Sequence, residues 1–463
     1  MMSRKYLVWL PFLSALLTTL AVWRRELWFD EALTLLNFVL PLDLGRIYFN
    51  YTIPNNHIVY SIMLKIWDWL YCGFIDPVAY WRLLSMLCAL GALGIILYLR
   101  GRIDSRNFYP AVLVLTAMTV SPVFMNYATA LRGYAAGWLF IAMALAGLYN
   151  IFCGKARAGW WIYTIAALLA VGTTPTNLLA LAAAFLYALP WIGENFYRDK
   201  RFYLAAAVLP LALVLFYAPI APQFLATFTL GEGFSSRNGA WMITLGMYVS
   251  SFGLLLFFAL LALERKNRVY LFRYAIWLLP ALAIYILHRA PFPRVFVTLL
   301  PVLAMAVIDG IAKLTANNWR STHRIIFFLT VAASQALLIP AGYLAAEKAQ
   351  LSRYEDDFFH PWYMFPKYRI SDTAAYLQKN HSGKTVFVSF SADPVPVMFY
   401  AAMQNVKCNF KNDVPYMSVK ELPAGTIAVL RKDESPAVYS RRFNRVLHKL
   451  CETTGHNIYL VVE

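Results

Sequence analysis

The 463 residues are 60% hydrophobic and only 14% charged, with a net charge of +17 and a mean hydropathy of +0.55. Soluble domains run nearer a quarter charged, so this balance excludes an ordinary soluble protein and indicates an integral membrane protein. The basic residues lie in short loops between apolar runs and form no nucleic-acid-binding motif; they fit membrane topology and attraction to anionic lipid, and nucleic acid is not expected as a partner.

The first apolar run, Tyr6 to Trp23, closes on Arg24-Arg25 without the small residues of a cleavage site, so it reads as a retained signal anchor. Apolar stretches of about twenty residues predict about eleven membrane helices, near 6–23, 83–99, 108–122, 134–152, 160–174, 177–192, 202–220, 241–263, 271–287, 295–312 and 325–344. Ala32 to Leu42 and Ile58 to Tyr71 are shorter, and the second carries Lys65 and Asp68. Both are predicted as interfacial amphipathic helices of the first outer loop.

With the N-terminus in the cytoplasm, the inner loops hold 17 Lys and Arg. The outer loops up to Tyr343 hold 9: Arg24, Arg25, Arg46, Lys65, Arg82, Arg132, Arg237, Arg289 and Arg294. That bias sets the N-terminus inside and, with an odd number of spans, the C-terminus outside. Topology disfavours those nine, and they share a face with Asp30 and Glu31.

Residues 345–463 hold 15 Lys/Arg and 12 Asp/Glu and no run of membrane length. Thr385 to Phe390, Thr426 to Leu430 and Ile458 to Val462 read as buried strands, Ser371 opens a helix, and Pro394 to Gln404 forms another. The expected architecture is a polytopic α-helical membrane domain, 1–344, followed by a small α/β domain, 345–463, outside the membrane. The five cysteines lack CxxC or zinc spacing; Cys408 and Cys451 fit either a disulfide in an oxidising compartment or two buried thiols.

Four stretches could carry chemistry. Arg24 to Ala32 places Asp30-Glu31 at a membrane face, as a base or cation site or as carboxylates balancing Arg24 and Arg25. Asn55-Asn56-His57 offers donors and acceptors suited to sugar or phosphate oxygens, or an ordinary helix cap, and Lys65 lies two helical turns beyond His57. Arg132, with Tyr134, stands at a helix mouth and fits an anion or a lipid headgroup. His288, Arg289 and Arg294 surround a proline-stiffened turn, an arrangement that suits a phosphate. The loop Gln223 to Ala240, rich in Gly and Ser, reads as a lid.

Trp28-Phe29-Asp30-Glu31, Asn55-Asn56-His57, Arg132-Gly133-Tyr134 and Pro293-Arg294, in this order over residues 1 to about 344, resemble the GT-C superfamily of membrane glycosyltransferases. The nearest likeness is to the bacterial branch of the dolichyl-phosphate-mannose protein mannosyltransferase family, which includes the lipid A aminoarabinose transferase. The resemblance implies inverting transfer of a hexose or pentose from a polyprenyl-phosphate donor to a lipid, glycan or exported-protein acceptor, at the outer face of a bacterial inner membrane. It implies Asp30 as base, Glu31 as a positioning or metal-assisting group, and Arg294 or Arg289 on the donor phosphate, with Arg132 and Lys65 beside them. Asn55, Asn56, His57, Tyr134 and His288 are the expected substrate-binding residues. With Glu232 the one acidic residue in the later outer loops, no metal site is expected, although some family members use magnesium or manganese. Rival readings are a flippase of lipid-linked sugars, disfavoured because the charges gather at one face rather than the midplane, and a polysaccharide polymerase or ligase.

Overall fold

The structure, a computed structural model, describes residues 4–51, 56–103, 108–193, 196–230, 237–261, 268–286, 293–316, 369–412 and 419–463. The chain forms two compact units, Met1–Trp23 with Leu42–Phe359 and Arg24–Pro41 with His360–Glu463.

In the first unit helices lie in ten of the eleven predicted spans; the last, 325–344, falls outside the described residues. Among the described residues, Pro77–Ile103, Tyr134–Phe152, Lys200–Ala226 and Arg294–Thr315 are long and apolar enough to cross a membrane, and two bent pairs raise four such helices to six. Helices such as Leu10–Val22 and Asn177–Ile192 are shorter. One bend, of 74°, separates Phe108–Thr119 from Pro122–Ala128. There Pro122 has no backbone N–H to continue the ladder, and Ser121 Oγ accepts the Phe124 N–H at 3.1 Å. The other, of 99°, follows Phe252 at Gly253, whose φ of 53° suits a residue without Cβ. The expected lid is helical over Ala221–Leu230, and helix Arg237–Phe252 takes up its far end.

An ionic cluster ties three helices of this unit together. Arg100, on Pro77–Ile103, pairs with Asp309, on Leu300–Ala316. Tyr187, on Asn177–Ile192, donates to Asp309 Oδ2 at 2.6 Å and accepts from Arg100 Nη1 at 3.0 Å. Arg100 is buried, and the carboxylate and the phenol answer its charge.

The second unit is built on a five-stranded sheet: β1 Thr385–Val388, β2 Asn409–Asn412, β3 Ile427–Arg431, β4 Val446–Glu452 and β5 His456–Val462, in the order β2-β1-β3-β5-β4. β1 runs parallel to β2 and β3, while β5 is antiparallel to β3 and β4. The three predicted apolar runs are β1, β3 and β5. The edge strands β2 and β4 carry polar residues such as Asn409, Lys411, His448 and Lys449, which leave no apolar run to read. Phe387, Ala428, Leu430, Tyr459 and Val461 form the core with Phe443 of helix Pro436–Phe443. Cys408 adjoins one edge strand and Cys451 lies on the other, with three strands between; both are free thiols.

Fully buried His456 clasps this unit, accepting from Thr373 Oγ1 at 2.8 Å and donating to the Ala392 carbonyl. Burial first, and Lys432 and Arg431 second, push its pKa down from 6.5 to about 4. Between those values the unfolded chain binds a proton that the folded ring refuses. Stability therefore falls as pH drops through that window, by roughly 3 kcal/mol at its acid end, and is level above it. Hydrogen exchange of β5 amides, corrected for intrinsic rates, should show protection lost between pH 7 and pH 5. Unchanged protection would contradict the assignment.

Candidate active site

The predicted residues form one group in each unit. In the second unit, Arg24 to Pro41 carries helix Phe29–Thr34 and a π-helical turn, Leu35–Val39. This segment, expected to lie at the membrane interface from Ala32 on, buries Leu27, Trp28, Ala32, Leu35, Phe38 and Val39. It packs against helix Pro394–Met403. Tyr400 OH accepts the Leu27 N–H at 2.9 Å, Ser371 Oγ donates to Glu26 Oε1 at 2.7 Å, and Phe29 meets Phe390 edge-on at 6.1 Å.

The two carboxylates of the acidic pair differ sharply. Glu31 is fully buried: Oε1 pairs with Arg25 Nη2 at 3.4 Å, and Oε2 accepts the Trp28 N–H at 3.2 Å, capping its own helix. The Arg25 guanidinium also stands 5.8 Å from the Trp28 ring centroid. Asp30, one residue earlier on that helix, is only half-buried.

In the first unit His57 stands at the N-cap position of helix Ile58–Asp68, with its side chain turned to other partners. The Gly133 N–H donates to its Nδ1 at 2.8 Å, Arg132 Nη2 lies 2.9 Å from Nε2, and Tyr134 meets the ring edge-on at 5.6 Å. Burial first, then the charges of Arg132 and Arg294, hold the His57 pKa well below the usual imidazole value. The ring is therefore neutral and has one acceptor nitrogen, yet both neighbours are donors. An oxyanion arriving at Arg132 would resolve that conflict.

Arg132 is buried, and its charge eases the pKa of Tyr51, which burial raises to about 12. The turn bearing Arg132 is anchored through Tyr60 OH, bonded to Ser85 Oγ, which donates to the Ala130 carbonyl, each at 2.7 Å. Arg294 is half-buried on the 3-10 helix Pro293–Leu299. Trp138 Nε1 fixes that helix at the Val297 carbonyl at 2.8 Å, and Tyr248 OH at the Phe296 carbonyl at 3.2 Å.

The chain matches ArnT from Cupriavidus metallidurans along almost all of its length. Against the apo crystal structure the TM-score is 0.53, at 14% identity, covering 98% of this chain and 97% of that one. Against the crystal structure bound to undecaprenyl phosphate it is 0.56, at 12% identity, covering 99% and 98%. This chain has the ArnT fold. No protein-family profile and no curated protein matches the sequence.

On the ArnT fold, the structure gathers His57, Arg132 and Tyr134 and brings Arg294 into electrostatic reach of His57. Lys65 is half-buried on helix Ile58–Asp68. Asn56 is absorbed by its own loop: Nδ2 donates to the carbonyls of Ile47, at 2.9 Å, and Asn50, at 2.7 Å, while Oδ1 accepts from Ser61 Oγ at 3.0 Å. Asn55, His288 and Arg289 fall outside the described residues. Sequence reading passed over Tyr51 and Tyr400, took Gly133 only as part of the Arg132-Gly133-Tyr134 motif, and took Ser371 only as a helix start. A glycine opening a helix beside an arginine was a usable signal for Gly133; nothing local marked Tyr400.

At Gly133 a Cβ would strike Thr173 Cγ2 and sit 2.6 Å from His57 Nδ1. Gly133→Ala should therefore displace the imidazole and destabilise the first unit by about 1–3 kcal/mol. Thermal melting of the purified variant tests this, and an unchanged melting temperature would refute the close packing.

Proposed function

We propose that this protein is a polytopic glycosyltransferase of a bacterial inner membrane. It moves a sugar from a polyprenyl-phosphate donor to an acceptor hydroxyl at the outer face, with inversion at the anomeric carbon. The observation that carries the reading is the grouping of buried Arg132 and half-buried Arg294 about the neutral His57 ring, in a chain whose fold is that of ArnT, a protein solved with undecaprenyl phosphate bound. A neutral imidazole between two donors, with a second arginine acting on it, suits a phosphate that accepts from the guanidinium.

Asp30 is the proposed general base. It takes the proton of the acceptor hydroxyl; that oxygen bonds to the anomeric carbon as the bond from carbon to phosphate oxygen breaks. The electron pair leaves on the polyprenyl phosphate, whose charge Arg294 and Arg132 neutralise. Glu31 has the reverse character: both its oxygens serve Arg25 and the helix start, which favours Asp30 for the chemistry. In this reading the N-terminus is cytoplasmic and the C-terminal unit extracytoplasmic, and exposed Ile66, Trp69, Leu70 and Phe74 rest on the membrane surface.

Two substitutions separate chemistry from structure. Asp30→Asn should leave the protein folded and lower transfer 10²–10³-fold, on the order expected for one aligned group. Glu31→Gln should instead leave Arg25 a buried charge without its counterion, at a cost of about 3–5 kcal/mol, seen as lost folded yield. Transfer by Asp30→Asn near the wild-type rate sinks the base assignment. Cells lacking the protein should accumulate a polyprenyl-phosphate-linked sugar, measurable by mass spectrometry of extracted lipids; no such accumulation counts against the whole reading.

A further inference from the structure

Helices Ala156–Thr173 and Lys200–Tyr217 pack side by side in the first unit. Between them lies a cleft of about 270 Å³, lined by Arg157, Trp160, Trp161, Arg201, Leu204 and Val208 among others. Both arginines stand in the first turns of their helices, at the same end of the pair. Among the described residues neither guanidinium has an ion-pair partner. The nearby carboxylate of Asp199 is already engaged: Oδ1 accepts the Arg201 N–H at 2.9 Å, and Oδ2 accepts Trp160 Nε1 at 3.3 Å.

The rest of the cleft is apolar, and its apolar wall continues beyond it. Leu204, Val208, Leu211 and Leu215 recur at helical spacing on one face above Arg201. Leu204, Leu211 and Leu215 are each more than half exposed, and only 11% of the apolar stretch of Lys200–Ala226 is buried. A face this apolar and this open is solvated by lipid chains. Paired tryptophans beside arginines mark the depth at which headgroups lie.

We propose that this cleft binds an anionic phospholipid, its phosphate held by Arg157 and Arg201 and one acyl chain laid along Leu204, Val208, Leu211 and Leu215. Two guanidiniums supply charge-assisted donors for the phosphodiester, the Trp161 ring covers the glycerol region, and the leucine stripe accounts for the chain. The site uses none of the residues assigned to sugar transfer and does not depend on that assignment.

Native mass spectrometry of the full-length, delipidated protein tests the proposal, with phosphatidylglycerol, phosphatidylcholine and inorganic phosphate as separate probes. Wild type should retain one phosphatidylglycerol through a step that strips phosphatidylcholine. Arg157→Gln with Arg201→Gln should weaken that retention about thirtyfold, as expected for two basic groups at a lipid surface. Val208→Trp, which fills the cleft and keeps both charges, should abolish it. Retention unchanged in either variant, or equal retention of phosphatidylcholine, would overturn the proposal. So would inorganic phosphate displacing the lipid at equal concentration, because the chain would then contribute nothing.

Discussion

A charge taken out of water must be answered by another charge or by hydrogen bonds, and the architecture around the acidic pair follows from how Arg25 and Glu31 meet that demand. Glu31 is buried on the helix it caps, so its carboxylate neutralises Arg25 and satisfies a backbone donor in a single placement. That arrangement sets the start of helix Phe29–Thr34 and hence the direction of Asp30. The helix depends in turn on Tyr400 and Ser371, which hold the two residues before Trp28. The acidic pair belongs to the second unit's packing, although its residues lie early in the chain.

The same demand shapes the first unit twice. Arg100, Asp309 and Tyr187 close on each other, leaving an ionic knot among apolar helices. At His57 the balance is different. Burial keeps the ring neutral, Gly133 brings a backbone donor against it, and Arg132 faces its other nitrogen. A knot that closes on itself supports a fold, whereas two donors facing one ring leave a hydrogen bond unmade.

Much of this was legible in the sequence, and what escaped did so for identifiable reasons. Membrane helices announce themselves by composition, and the central strands β1, β3 and β5 by short apolar runs, because burial on both faces leaves no polar alternation. Edge strands β2 and β4, half in water, carry no such run. Arg132 and His57 were picked out separately, as charge and imidazole on one expected face; their close approach needed Gly133, whose contribution is the side chain it lacks. Asp30 and Glu31 are adjacent and chemically alike, so only burial could divide their roles. Asn56 had the right chemistry for a sugar, but its amide is consumed in joining helix Leu44–Phe49 to helix Ile58–Asp68. Tyr400 stands 373 residues from its partner Leu27, beyond the reach of any local pattern.

That separation bears on how the protein is made. A ribosome adding roughly 5–20 residues per second needs about 20–75 s to go from Leu27 to Tyr400, 373 residues on. Throughout that interval Leu27, Trp28 and Phe38, all buried in the finished unit, have no C-terminal sheet to settle on. The acidic helix reaches its final setting only after Tyr400 has been made. A chain cut short before helix Pro394–Met403 therefore never completes this element, and expressing residues 369–463 alone leaves the apolar bed of that helix bare. The discontinuous unit makes the acidic helix depend on two stretches of chain synthesised far apart in time.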